Sequence, residues 1–446
     1  MTASRWLLAI AFGALMVVAA ALWYFVSSGP LTFAGAGTVP LANYKESNPS
    51  GVPAELAKSG PLVRGRYLTQ AADCQTCHTR EGGVPFAGGR PFKTRFGTLY
   101  SPNITPDRDS GIGAWSAGDF LRAVHQGVRP DGSHLYPAFP YAAYTYLTDD
   151  DVQAIWTYLR SVPAVRNPVA ANNLAFPFNQ RWLMRVWSGL FNPDRRFAAN
   201  VRRSPEWNRG AYLAEGLAHC GDCHTPRNLL QALDNRRKFA GALTAGWLAY
   251  NITSDRTSGV GAWSDEALAQ YLATGHAASH GTASGPMAEA VESSLSKLAP
   301  SDIRALVTYV RSIPPVASPD LPAVRTRVAA AAPGTGDEIS AGSLGEQVFA
   351  GACAGCHGWS GRSPLMDRAA LTGSRAINDP SAVNVVQMVL NGSAGGTSGT
   401  TGSMPAFGAG YSDAEIAAVA NYVTARFGTQ ASAVSEGTVA QLRTGT

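Results

Sequence analysis

The sequence predicts a mainly α-helical protein of three tandem units that follow an N-terminal transmembrane helix. Three observations carry that reading. The pentapeptide CxxCH occurs three times and uses all six cysteines of the 446-residue chain; blocks around the first two copies recur; and an uncharged apolar run opens the sequence.

The apolar run extends from Trp6 to Val26. A helix of about 20 apolar residues, rising 1.5 Å per residue, spans the hydrocarbon core of a bilayer. Arg5 precedes the run and the next basic residue is Lys45. The positive-inside rule then leaves the start in the cytoplasm and the bulk of the chain outside. A cleaved signal peptide would have a shorter apolar core of about 7–15 residues, although Ala34-Gly35-Ala36 offers a cleavage site. Residues 1–30 are therefore read as an anchor in the bacterial inner membrane, with the rest in the periplasm. The charged share is only 15%, with 47 glycines and 28 prolines, so short elements and many turns are expected. The net charge of +5 is not gathered into any basic run, so no nucleic-acid partner is implied.

The repeats set the domain boundaries. RGRYLTQAADCQTCHT (64–79) is echoed by RGAYLAEGLAHCGDCHT (209–225), and SPNITPDRDSGIGAWS (101–116) by YNITSDRTSGVGAWS (250–264). Each unit closes with a similar helix, LTDDDVQAIWTYLRSVPAV (147–165) and LAPSDIRALVTYVRSIPPV (298–316). Asp150 and Asp302 suit the positive ends of those helices, and Pro163 and Pro314 stop them. A divergent third unit starts near Gly342 with GSLGEQVFAGACAGCHG and closes with YSDAEIAAVANYVTARFG (411–428). Tyr158, Tyr309 and Tyr422 share one place in the closing helices, where core packing explains them. The units are 59–166, 207–317 and 339–430. A short β-ribbon is expected around 96–104, with its repeat near 247–252.

Linkers fill 167–206 and 318–338, and 431–446 reads as a loose tail. The first linker is dense in aromatics and arginine. Its Trp182, Leu183, Val186, Trp187 and Leu190 recur at helical spacing. A strap packed across the first two units is the plain reading; contact with a membrane surface, a partner or a quinone is the sharper one.

The three motifs are Cys74-Cys77-His78, Cys220-Cys223-His224 and Cys353-Cys356-His357. Cysteines three apart lie on one face of a helical turn and can reach both vinyl groups of one porphyrin. The histidine after the second cysteine points the same way and meets the iron as proximal ligand. A zinc site would need two cysteine pairs close together, and a redox CxxC would not need histidine three times over. Three covalently bound haems c follow, and each unit is expected to be a cytochrome c-type domain whose haem supplies much of its core.

The sixth ligands differ between units. Met404, in GSMPAF (402–407), suits the third iron, and Met287, in GPM (285–287), the second. Met366 and Met388 fall too early. The first unit has Phe139 in LYPAFPY (135–141), and no methionine between its motif and Met184. Aligning Gly127, Gly275 and Gly392 matches His125 with the apolar Ala273 and Leu390. His125 is the expected ligand there and His134 the alternative, with a five-coordinate iron as the remaining case. Two nitrogen ligands should lower the potential relative to a methionine site.

The pattern RGxYL…CxxCH…SPNIT…GIGxWS…LYPAxPY resembles the triheme cytochrome c subunit of membrane-bound bacterial alcohol and aldehyde dehydrogenases. The resemblance covers residues 60–428, specific in units one and two and generic in unit three. It implies an electron-transfer subunit, itself non-catalytic, fed by a large catalytic dehydrogenase subunit and delivering to ubiquinone or an oxidase chain. The LYPAFPY variant is more like cytochromes paired with molybdopterin enzymes for aldehydes or N-heterocycles, which add a small iron–sulfur subunit. The alternatives are the cytochrome subunit of a PQQ or flavin alcohol dehydrogenase, or a peroxidase-like haem enzyme acting through an open iron in unit one. No phosphate-binding glycine loop or hydrolase triad competes with these readings.

Overall fold

The computed structural model describes residues 3–27, 37–40, 52–192, 194–324, 342–393 and 403–444. Helix α1 (Ala3–Val26) leads, and its Trp6, Ile10, Phe12, Leu15 and Trp23 side chains are exposed. Among residues whose side chains are described, no helix is long and apolar enough to cross a membrane; those of residues 7–9 and 25 are not among them. Strand β1 (Gly37–Pro40) follows.

Unit one runs through α2 (Pro61–Ala71), α3 (Cys74–Cys77), β2 (Pro91–Thr94), β3 (Gly97–Tyr100), α4 (Ala117–Gln126), α5 (Tyr141–Tyr144) and α6 (Asp149–Leu159). A connecting segment carries β4 (Asn173–Leu174), α7 (Leu183–Phe191) and β5 (Arg195–Ala198). Unit two repeats the plan with α8 (Pro205–Tyr212), α9 (Cys220–His224), β6 (Ala242–Thr244), β7 (Trp247–Ala249), α10 (Asp265–Thr274), β8 (His276–Ala277), β9 (Gly281–Thr282), α11 (Gly285–Ser293) and α12 (Pro300–Arg311). Unit three has α13 (Leu344–Val348), α14 (Ala354–His357), α15 (Val383–Asn391), α16 (Asp413–Phe427) and α17 (Glu436–Thr444). The expected ribbons are present: β2 pairs antiparallel with β3, and β6 with β7. Gly127, Gly275 and Gly392 end α4, α10 and α15 with φ of 66°, 72° and 70°, so their alignment is structural. Gly127 and Gly275 are in the αL conformation and Gly392 has φ 70° with ψ −175°, both of which suit glycine.

One close crossing defines every unit. The first helix passes the closing helix at a glycine whose added Cβ would lie 1.9 Å from the Ala154 oxygen for Gly65, 1.9 Å from the Ala305 oxygen for Gly210 and 2.3 Å from the Ala418 oxygen for Gly345. Tyr158, Tyr309 and Tyr422 pack over those same glycines, which is the packing role expected of them. Asn103 explains the repeated SPNIT block. Its amide donates to the Val165 carbonyl at 2.7 Å and its Oδ1 accepts from Thr105; Asn251 does the same with Val316 and Thr253. These asparagines pin the chain leaving each closing helix.

Units one and two share one hydrophobic core and unit three has its own. The shared core is closed by an exchange. Tyr67 of unit one donates to Asp302 of unit two at 2.5 Å, and Tyr212 of unit two donates to Asp151 of unit one at 2.6 Å. Arg209 makes a paired contact with Asp302 at 3.0 and 2.8 Å, while Arg64 stands 3.7 Å from Asp151. RGxYL is therefore both a helix crossing and a cross-unit lock. Unit three meets unit two through α15 and β7: Asn384 exchanges two hydrogen bonds with the Leu248 backbone, at 2.8 and 2.9 Å.

Two expectations change. Residues 431–446 are no loose tail as far as they are described, because α17 buries Val439 against unit three and Arg443 pairs with Asp413 at 2.6 Å. Met287 is not in a loop but in the first turn of α11, where Pro286 at the second position fits because the first-turn amides have no partner within the helix. Most of the linker 318–338 lies outside the described residues.

Candidate haem-binding sites

All six cysteines are unpaired thiols. Burial pushes Cys74, Cys77 and Cys220 up to about 12, and Cys223 and Cys353 up to about 11. Burial thus disfavours the thiolate at these five positions, which does not suit a thiolate metal cage. Among the described residues no group of three or more His, Cys, Asp or Glu side chains is gathered to hold a metal ion.

The motif histidines give the sharper test. His78 Nδ1 is 2.8 Å from the Pro102 carbonyl, His224 Nδ1 2.6 Å from that of Tyr250, and His357 Nδ1 2.6 Å from that of Ala369. A carbonyl can only accept, so each Nδ1 carries the hydrogen and each Nε2 keeps the lone pair. Burial lowers the pKa of all three imidazoles and so favours the neutral form. A neutral ring held through Nδ1–H, with Nε2 free to ligate, is the arrangement an iron porphyrin requires. The residues fit haem at all three motifs.

On the opposite side the sites differ. Met287 is half-buried against the shared core. Met404 is also half-buried and its backbone is pinned to Ser393. Phe139 packs against the core with its ring 5.5 Å from that of Tyr144. His125 is buried on α4, and its Nδ1 lies 2.6 Å from the Arg196 guanidinium and 3.8 Å from Asp149. An arginine can only donate, so here Nδ1 holds the lone pair and Nε2 the hydrogen, the reverse of the motif histidines. That Nε2 is buried without a hydrogen-bond partner. Burial, then Arg196, holds the ring far below the usual histidine pKa. His134 is half-buried, and its backbone carbonyl accepts from Arg181 of the connecting segment.

The first two sites are adjacent. Helix α11, which carries Met287, packs against α3, which carries Cys74 and Cys77. Arg90 ties them together, donating to the Thr76 carbonyl and to Glu289, both at 2.8 Å. Tyr144 donates to the Ala72 carbonyl at 2.7 Å and meets the His219 ring edge-on at 5.6 Å. Tyr250, whose carbonyl orients His224, donates its hydroxyl to Asp379 of unit three at 3.0 Å. Sequence reasoning missed Tyr144, His219 and Tyr250. A signal existed for His219 alone: it stands just before Cys220, where unit one has Asp73.

Comparison with known proteins gives the family. Residues 62–163 match the cytochrome c family, and residues 340–423 match cytochrome c oxidase, cbb3-type, subunit III. A nicotinate dehydrogenase subunit of Pseudomonas putida is 41% identical over 82% of this chain, which spans only 30% of that longer relative. The fructose dehydrogenase cytochrome subunit of Gluconobacter japonicus is 37% identical over 92% of this chain and 87% of its own length. The gluconate 2-dehydrogenase cytochrome c subunit of Pantoea cypripedii is 37% identical over 87% and 91%.

Proposed function

Because the chain belongs to the family of cytochrome c subunits of dehydrogenases, we propose that it carries electrons through three covalent haems c, from a periplasmic catalytic subunit to a membrane quinone. The observation that supports the haem count is the threefold Nδ1–H···O=C contact beside a cysteine pair. Bound haem supplies a one-electron Fe(III)/Fe(II) couple. The chain supplies the rest: His78, His224 and His357 present Nε2, the cysteine pairs hold each macrocycle by its edge, and Met287 and Met404 complete two of the sites. Haem quantified per chain should give three, and Cys353→Ala with Cys356→Ala should give two. Two in the unaltered chain would refute the count.

His125 is the proposed sixth ligand of the first site, supported by its buried, unpartnered Nε2. Ligation requires Arg196 to release Nδ1, and Arg196 already holds Asp149 at 3.0 Å and Asp194 at 2.9 Å. His134 is the alternative. Near-infrared magnetic circular dichroism separates bis-histidine from His/Met ligation, and loss of the bis-histidine band in His125→Ala but not in His134→Ala is expected. A methionine signature at all three haems would end this assignment.

The proposed partner is a molybdopterin dehydrogenase for an aldehyde or N-heterocycle, with a small iron–sulfur subunit. Its support is the 41% identity to a nicotinate dehydrogenase subunit. A sugar or sugar-acid dehydrogenase is the second reading, favoured by the near full-length match to the fructose and gluconate relatives. The cofactor of the co-purifying large subunit decides between them. Anchoring by α1 in the inner membrane is supported by its 24 residues, about 36 Å at 1.5 Å per residue, and by its exposed apolar side chains. Deleting residues 1–27 should release the protein from washed membranes.

A further inference from the structure

A cleft of about 180 Å³ lies between the two joined units and α7. No cysteine, motif histidine, Met287, His125 or His134 lines it, and the first unit's distal loop reaches it only through Pro137, Phe139 and Pro140. Phe139, Trp187, Leu190 and Phe191 form an apolar wall, and His219, Asp222 and Arg227 face it. Ligand pockets commonly show this mixture of apolar walls with a few polar groups.

Its position is informative. His219 precedes Cys220, and Gly221 and Asp222, which also line the cleft, lie between Cys220 and Cys223. An occupant would therefore sit against the outer side of the second attachment motif. Asp222 Oδ2 is buried there without a hydrogen-bond partner.

The loop that lines the cleft with Arg227 and Asn235 also meets the end of α1. Asn228 donates to the Val26 carbonyl, and Arg236 donates to those of Tyr24 and Ser27 with its guanidinium 4.2 Å from the Tyr24 ring centroid. Around that point the surface is apolar: Trp182 is 66% exposed, Val186 55%, Leu190 58% and Leu229 68%. Trp187 joins α7 to this loop by donating to the Leu230 carbonyl at 2.8 Å. Exposed aromatic and aliphatic side chains beside arginines at the end of an apolar helix suit a bilayer interface.

We infer that this cleft is the site where a lipid-soluble quinone, an aromatic diketone on an apolar tail, accepts electrons after entering along α7 from the membrane. The inference rests on the quinone-linked function proposed above and gives that step its residues. The class follows from three requirements met in one place: a lipid-side entrance, an aromatic wall for a flat ring, and polar groups for two carbonyl oxygens, all beside a redox motif. Two electrons, from oxidation of two ferrous haems to ferric, and two protons from water at the mouth convert the quinone to the quinol. His219 and Arg227 are placed to hydrogen-bond the ring oxygens, and Trp187 to hold its face.

The full-length haem-loaded chain in nanodiscs tests this. It is reduced with dithionite, freed of excess reductant, and mixed with decylubiquinone or with ferricyanide while the haem α-band is followed; an azido-quinone is photolysed in parallel and its adducts mapped. Label within 183–191 or 219–238 is expected. Trp187→Ala and the cleft-filling Ala142→Trp are each expected to lower the quinone-to-ferricyanide rate ratio at least tenfold; the second variant, checked by its haem absorbance, guards against misfolding of the first. Haem oxidation by the quinone with label elsewhere and an unchanged ratio in both variants would overturn the site and leave the proposed function standing. Haem oxidation by ferricyanide but not by the quinone would overturn the proposed function itself.

Discussion

Units one and two are welded, whereas unit three is docked. The first two bury one continuous core and exchange Tyr67–Asp302 and Tyr212–Asp151 contacts inside it. The third has a separate core and meets unit two through Asn384 and Gln387 on backbone, Arg368 and Arg375 donating to the Thr274 and Thr257 carbonyls, and the Tyr250–Asp379 bond. Buried charge-assisted contacts leave unpaired charge behind when they are broken, whereas the neutral amides Asn384 and Gln387, although buried, leave only an unsatisfied polar group. The first pair should therefore keep one fixed haem-to-haem geometry, and the second junction should be the yielding one.

Perturbing the weld should have the largest effect. Asp302→Ala leaves Arg209 buried and without its paired carboxylate, and should cost about 3–5 kcal/mol. Units one and two should lose their haem-region circular dichroism in a single transition while unit three keeps its own melting temperature. Separate melting of units one and two would break the comparison. Tyr212→Phe removes one bond to Asp151 and one accepted from the Thr148 backbone, at about 1–3 kcal/mol by denaturant titration.

A pH effect separates the welded units from each other. Asp73 in unit one has a pKa raised by burial to about 7. A carboxyl group raised in the folded state stabilises below its unfolded pKa near 4, and that stability is lost as pH rises to about 7. Unit one should weaken by about 1 kcal/mol from pH 5 to 8, allowing for partial screening. Asp73→Asn should remove this slope. If the variant keeps the slope, another group is responsible. The smallest effect belongs to the docked junction. Asn384→Ala removes its two bonds to Leu248 and should cost about 1 kcal/mol. It should loosen unit three, seen as faster hydrogen exchange of β7 and α15, and leave the melting of units one and two unchanged.

The repeats, the motifs and the closing helices were legible because local chemistry dictates them. Thioether attachment fixes CxxCH, and Ser116 with Asp119 and Ser412 with Glu415 form capping boxes where helices start. The weld was not legible, although RGxYL was visible twice. Nothing local tells Tyr67 to meet Asp302 of the other unit when an equivalent Asp151 lies in its own. Helix α17 was missed because its apolar side is little more than Val439 and Leu442, too few to show a period. Met287 was placed in a loop because Gly285 and Pro286 read as turn residues, yet Pro286 sits in the first turn of α11. For His125 the residue was visible but its tautomer was not, since that depends on Arg196 from a distant strand.

The glycine crossing also bears on how such a chain could be assembled. Where Gly65 meets Ala154, Gly210 meets Ala305 and Gly345 meets Ala418, the entry and exit of each unit lie side by side. A unit of that kind is a closed bead: it can be copied, inserted or excised by joining two neighbouring ends, without rethreading the rest. A cut before residue 342 should leave a viable two-bead protein. A cut between residues 166 and 205 would instead leave each half with a tyrosine and an aspartate whose partners are on the other piece.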